Sequence, residues 1–212
     1  VYTPRGDLQL IVQSAEDAGE GALAAAFEKL KRRLAAEGLF ERERKLPLSL
    51  PAQRIVIISS PQAAALQDIL VTLRRRDPFI QLDLIPVPVQ GTEAPERIAD
   101  ALKQIEDTDP YDAVVLARGG GSLEDLQAFN TELVARAIAA CRKPVISAVG
   151  HETDITISDL VASQRAATPT AAAELVSRDR ASQAQTIPAL KGRLHSAVKR
   201  NLGEQNRQLA SL

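Results

Sequence analysis

Two short segments carry the side chains best suited to chemistry. The first is Arg118-Gly119-Gly120-Gly121-Ser122. Three consecutive glycines expose backbone N–H groups and tolerate conformations that side chains forbid. Followed by a helix start, such a turn makes a nest that can hold a phosphate. Arg118 adds a planar, two-pronged donor for the same oxygens. The plainer reading is a tight strand-to-helix turn. The spacing matches neither a dinucleotide fingerprint nor a P-loop. The second segment is Gly150-His151-Glu152-Thr153-Asp154. His151 can move a proton near neutral pH. Asp154, three residues on, would face the same side if a helix opens here, and could orient the imidazole, activate water or hold a metal. The plainer alternative is that Asp154 complements a helix N-terminus while His151 packs in a turn.

Three further segments extend the set. Ser59-Ser60-Pro61 ends an apolar run, with Asp68 two turns into the helix that should follow. Ser60 could cap that helix with Pro61 at its first position, or contact phosphate at the same edge. Thr168-Pro169-Thr170 offers two hydroxyls, either to cap a final helix or to meet phosphate. A Mg²⁺ ion on Asp68, Asp154 or Glu152 stays open. The other histidine, His195, sits in a basic helix and reads as solvated, while the lone Cys141 reads as a small buried residue.

These residues need a frame. Residues 54–58, 80–86, 113–117 and 143–149 are short runs rich in Ile, Val and Leu, separated by helical patterns at about 62–76, 93–107, 123–140 (broken near Asn130) and 150–162. That alternation predicts an α/β fold: a parallel sheet of four or more strands, each apolar throughout, with helices on both faces. Ligands in such sheets sit beyond the carboxyl ends of the strands. Asp68 and the turns at 59–61, 118–122 and 150–154 all fall there. Ahead of the sheet, Leu23, Phe27, Leu30 and Leu34 make the apolar stripe of a helix over 20–37, with Gly38 as its stop. Behind it, from about Thr170, Leu190, Leu194, Val198, Leu202 and Leu209 predict a long amphipathic helix that Pro188 kinks or restarts.

The chain has 212 residues, 45% hydrophobic and 25% charged, with a formal charge of −1. Charge is segregated: 23–45 and 178–212 each hold seven Lys or Arg, and Arg74-Arg75-Arg76 adds a third cluster. Such clusters suit a polyanionic partner or simply solvated helix faces. One cysteine forbids an internal disulfide, and no apolar run reaches transmembrane length. With no apolar leader, these features favour a reducing, cytoplasmic setting. A chain that opens on Val1 and holds no methionine reads as a fragment, with residues 1–12 as the end of an earlier unit.

The longer motifs carry a resemblance. Arg118-Gly-Gly-Gly-Ser-Leu-Glu-Asp-Leu126 with Ala128-Phe129-Asn130, Pro144-Val-Ile-Ser-Ala-Val-Gly-His-Glu-Thr-Asp154, and Ala167-Thr-Pro-Thr-Ala-Ala-Ala-Glu-Leu175 resemble the exodeoxyribonuclease VII large subunit. Tyr2-Thr-Pro-Arg-Gly6, Gln9-Leu-Ile-Val12 and Pro86-Val-Pro-Val-Gln-Gly91 fit as well. The turn Ser60-Pro61-Gln62-Ala63 departs from the family pattern, where threonine and glycine are more usual after the proline. The resemblance implies a bidirectional exonuclease that hydrolyses single-stranded DNA to short oligonucleotides, in a bacterial cytoplasmic complex with several copies of a small helical subunit. It implies catalytic roles for Asp68, Arg118, His151 and Asp154, with Ser60, Gly119, Gly120, Gly121, Ser122, Thr168 and Thr170 on the phosphate or DNA, and it leaves the metal open. It divides the chain into the end of an OB-fold-like domain (1–19), a helix and connector (20–53), the α/β catalytic domain (54–177) and the start of a C-terminal helical, coiled-coil region (178–212) that binds the small subunits. The rival reading is a non-catalytic α/β module that binds an anion or polynucleotide at the same edge.

Overall fold

The structure is a computed structural model and describes residues 18–49, 51–120, 124–150 and 154–210. It opens with α1 (Ala18–Ala36). Gly38, at φ +72°, ends it. The Gly38 N–H reaches the Ala35 carbonyl and the Leu39 N–H reaches that of Leu34, the pairing that satisfies the last carbonyls of a helix and that glycine makes cheaply. The expected stripe packs inward, with Leu34 buried and Phe27 and Leu30 half-buried.

After a connector, the chain alternates strand and helix: β1 (Arg54–Ser59), α2 (Ala64–Arg76), β2 (Gln81–Pro86), α3 (Ala94–Lys103), β3 (Ala113–Ala117), a 3₁₀ segment (Glu124–Phe129), α4 (Glu132–Ala140), β4 (Val145–Ala148), α5 (Ile157–Val161), β5 (Gln164–Arg165), α6 (Pro169–Val176) and α7 (Arg180–Ala210). The five strands form one parallel sheet in the order β2-β1-β3-β4-β5. The predicted α/β class, with helices on both faces, an N-terminal helix and a long C-terminal one, is what the chain adopts. Side-chain alternation splits the core in two. Ile55, Ile57, Val115 and Ile146 pack under α2 and α6. Val56, Ile58, Val114, Leu116 and Val145 pack under α3, α4, α5 and the end of α1. Because the chain runs outward from β1 to β2 and then back past it to β3, the loops after β1 and β3 diverge and leave a crevice between them. The Ser59 hydroxyl donates to the Ala117 carbonyl at 2.8 Å across the floor of that crevice.

Several boundaries differ from expectation, each for a local reason. α2 begins at Ala64, not at Pro61: Ser60 instead opens a turn in which its carbonyl accepts from the Ala63 N–H. α5 begins at Ile157, not at Gly150 or His151, because Thr156 and Asp159 cap it reciprocally; residue 154 therefore precedes a helix instead of sitting in one. β2 is an edge strand, half-exposed and carrying Asp83, so it is not apolar throughout. The C-terminal stretch is two helices, since Thr168 caps the short α6 and Ser177 ends it. α7 runs through Pro188 without a new start. Its root is tied to the end of α2, where Arg180 pairs with the buried Asp77.

Candidate active site

The carboxyl ends of the strands hold a cavity of about 250 Å³. Its lining includes Asp68 from α2, Arg118, Gly119 and Gly120 from the end of β3, Val149 after β4, and Thr168 and Thr170 at the start of α6. Six of the residues singled out from the sequence therefore converge on one concave surface. A larger hollow of about 480 Å³ lies at the opposite, amino edge. Its Arg54 and Arg180 are already matched by Asp83 and Asp77. Position relative to the strand ends, not size, separates the two.

Each wall has a local cause. Gly119 faces the first turn of α2: a Cβ there would lie 3.6 Å from the Ala65 nitrogen and 3.7 Å from the Ala64 nitrogen. No side chain caps α2, because Ala63 occupies the cap position. The first N–H groups of a helix have no intrahelical acceptor and carry the positive end of its dipole. Uncapped, they suit an anion beside the glycine turn. On the other wall, Thr168 caps α6 by accepting from the Ala171 N–H at 3.0 Å, the structural role expected for its hydroxyl, while the residue still lines the cavity.

Arg118 is 4% exposed. A buried guanidinium needs a counter-charge, and Asp125 on the 3₁₀ segment supplies it at 3.2 Å. Asp125 was not among the sequence candidates. Its position seven residues after a buried arginine, within the same motif, was the available signal. Asp68 is exposed on the opposite wall and is the only carboxylate among the described lining residues. Among the described residues, no three His, Cys, Asp or Glu side chains gather as a metal site.

Other candidates fall elsewhere. Ser60 and Asp154 do not line the cavity. Ser60 is spent on the turn before α2, where its hydroxyl lies 3.4 Å from the Gln62 N–H. The Asp154 main chain lies close against Gly150, where a Cβ would meet the Asp154 carbonyl oxygen at 1.9 Å. Gly121, Ser122, His151 and Glu152 lie outside the described residues. His195 is exposed on α7 and Cys141 is buried.

The comparisons with known proteins settle the affiliation. Residues 39–212 match the family model described as "Exonuclease VII, large subunit". The chain belongs to that family. It is 51% identical, over its whole length, to an exodeoxyribonuclease 7 large subunit of Pseudomonas entomophila, and covers 46% of that protein. It is 50% identical to the one from Vibrio parahaemolyticus, covering 48%, and 49% identical to the one from Cronobacter sakazakii, covering 46%. The chain thus spans about half the length of the curated relatives it matches. Within the family's matched region lie the whole sheet, the cavity and α7. Among the described residues, no helix is long and apolar enough to cross a membrane.

Proposed function

We propose that this chain is the catalytic part of an exonuclease that hydrolyses single-stranded DNA to short oligonucleotides from either end. The reading rests on one observation: Asp68, Arg118, Gly119, Gly120, Thr168 and Thr170 line a single cavity at the strand ends. A scissile phosphate fits between the glycine turn and the amino end of α2. Arg118 and the turn amides neutralise charge as the phosphorus gains its fifth oxygen. Because Arg118 is already held by Asp125, it meets that charge without reorganising. His151 carries the proton, with Asp154 orienting it, and Asp68 directs the attacking water. Ser122 and Gly121 extend the phosphate contact, and Thr168 and Thr170 hold the neighbouring backbone. A Mg²⁺ ion at Asp68 would add Lewis-acid assistance.

The partner is a small helical subunit in several copies, seated on the C-terminal helical region. In α7, Ile187, Leu190, Leu194, Val198 and Leu202 are each at least half exposed. They recur every three or four residues, the stripe a second helix would cover. The setting is the bacterial cytoplasm.

The test uses the full-length large subunit assembled with its small subunit, given end-labelled single- and double-stranded DNA. Selective loss of the single strand, with Arg118→Ala lowering kcat about 10²–10³-fold, supports the proposal. Tight binding of the strand without cleavage replaces it with a non-catalytic polynucleotide-binding module.

A further inference from the structure

We propose that Asp159, beyond capping α5, is the positioning residue that holds Gly150 and the Asp154–Thr156 main chain against the end of the sheet. The inference rests on the catalytic reading above. The Asp159 side chain is fully buried. Its Oδ1 accepts from the Ser147 hydroxyl on β4 at 2.6 Å. Its Oδ2 accepts from the Thr156 N–H at 2.8 Å and the Thr156 hydroxyl at 2.9 Å. The Arg165 Nε of β5 lies 3.8 Å from the same oxygen.

A capping box needs only the bonds to Thr156. The bond to Ser147 is extra: it runs from the start of α5 to the penultimate residue of β4, two residues before Val149. Gly150 closes the arrangement. A Cβ there would lie 2.7 Å from Asp159 Oδ2 and 1.9 Å from the Asp154 carbonyl oxygen. The carboxylate and the Asp154 main chain thus both pack where a side chain at Gly150 would stand. Burying a carboxyl group is costly unless its oxygens are hydrogen-bonded, and a five-residue helix could be capped by Thr156 without it. The three donors instead sit on Ser147, before Gly150, and on Thr156, after Asp154, so the carboxylate fixes where Asp154 stands.

The experiment measures single-stranded DNA cleavage by the full-length complex, well below the lowest melting midpoint among the variants. Asp159→Ala is expected to lower kcat about 100-fold, the usual cost of a misplacement of about 1 Å, with KM within about threefold of wild type. Asp159→Asn should restore at least tenfold of the loss. Its amide oxygen can still accept from Thr156 while its NH₂ donates to the Ser147 oxygen. Should Asp159→Ala fail to assemble, Ser147→Ala removes only the sheet bond and should lower kcat about tenfold. A kcat within threefold of wild type for Asp159→Ala, equal losses for Ala and Asn, or a loss confined to KM would each overturn the inference. Arg118→Ala separates the two readings: wild-type kcat there sinks the catalytic site itself. A large loss there beside an unchanged Asp159→Ala sinks only the role of Asp159.

Discussion

Asn130 Oδ1 accepts a hydrogen bond from the Ile157 backbone N–H at 2.9 Å. The bond ties the segment that follows the glycine turn to the amino end of α5, and the Ser158 hydroxyl repeats the tie by donating to the Phe129 carbonyl at 2.8 Å. The segments that follow the two chemical motifs are thus joined side by side before any ligand arrives. Ile157 is fully buried. Asn130→Leu would leave its N–H without an acceptor, at a cost of about 1–3 kcal/mol. The melting midpoint should fall by several degrees, and kcat should fall with it while DNA affinity holds. Differential scanning calorimetry beside steady-state cleavage checks both.

Asp125 offers a sharper test of the same wall. Its carboxylate is the counter-charge that a 3%-exposed Arg118 side chain meets at 3.2 Å. Asp125→Ala is expected to cost about 1.5–3 kcal/mol, the range for a hydrogen bond to a charged group, because Asp125 keeps partial exposure. The guanidinium would then lose its fixed orientation, so kcat should drop more than KM rises. Urea unfolding and single-turnover kinetics would measure the two effects. Unchanged values of both would show that Arg118 is held by its other contacts.

Thr168 has two jobs that substitution can separate. Its hydroxyl caps α6 and the residue lines the cavity. Thr168→Ala should cost about 1 kcal/mol of stability, a shift of roughly 2–4 °C in a chain of this size. Thr168→Ser should restore the cap and the melting midpoint. If Thr168 also holds DNA, Ser should recover the KM that Ala raises.

Cys141 predicts an alkaline limb. Burial pushes its thiol above the ordinary value of 9.0, against a smaller opposing effect of backbone hydrogen bonds from Lys143 and Arg142. The folded state therefore keeps a proton that the unfolded chain loses. Stability from this group is complete below pH 9.0 and declines as pH rises through the unfolded value. Cys141→Ala should flatten that decline in denaturant titrations from neutral to alkaline pH. The folded protein should also alkylate more slowly than the unfolded chain.

The exposed stripe of α7 predicts an assembly phenotype without a folding one. Leu194 is 67% exposed, so Leu194→Glu should leave the melting of the isolated large subunit within about 0.5 kcal/mol of wild type. The same change should prevent co-purification of the small subunit and lower cleavage by the assembled enzyme. Normal assembly by this variant would move the partner surface elsewhere.

Local chemistry decided much of this protein before any contact was formed. Runs such as Ile55–Ile58 and Ala113–Ala117 are too apolar for anything but a buried strand, and Gly38 could stop α1 where it does because only a residue without Cβ enters that turn cheaply. The glycine turn, Arg118 and Asp68 were legible as candidates because strand-end residues of a parallel sheet share one edge. What the residues could not state was how charge and hydrogen bonds close at longer range. The pairing of Arg118 with Asp125 and the tie from Asn130 to Ile157 depend on where the 3₁₀ segment lands against α5. The short β5 has too few residues to show a period, and exists because Ala166 and Arg165 meet Ser147 on β4. α5 starts at Ile157, behind the cap Thr156, because Asp159, bonded to Ser147 of β4, completes a capping box there. The order of residues placed the chemical groups at the strand ends; only the packed sheet determined which of them line one cavity, and which are consumed in holding it.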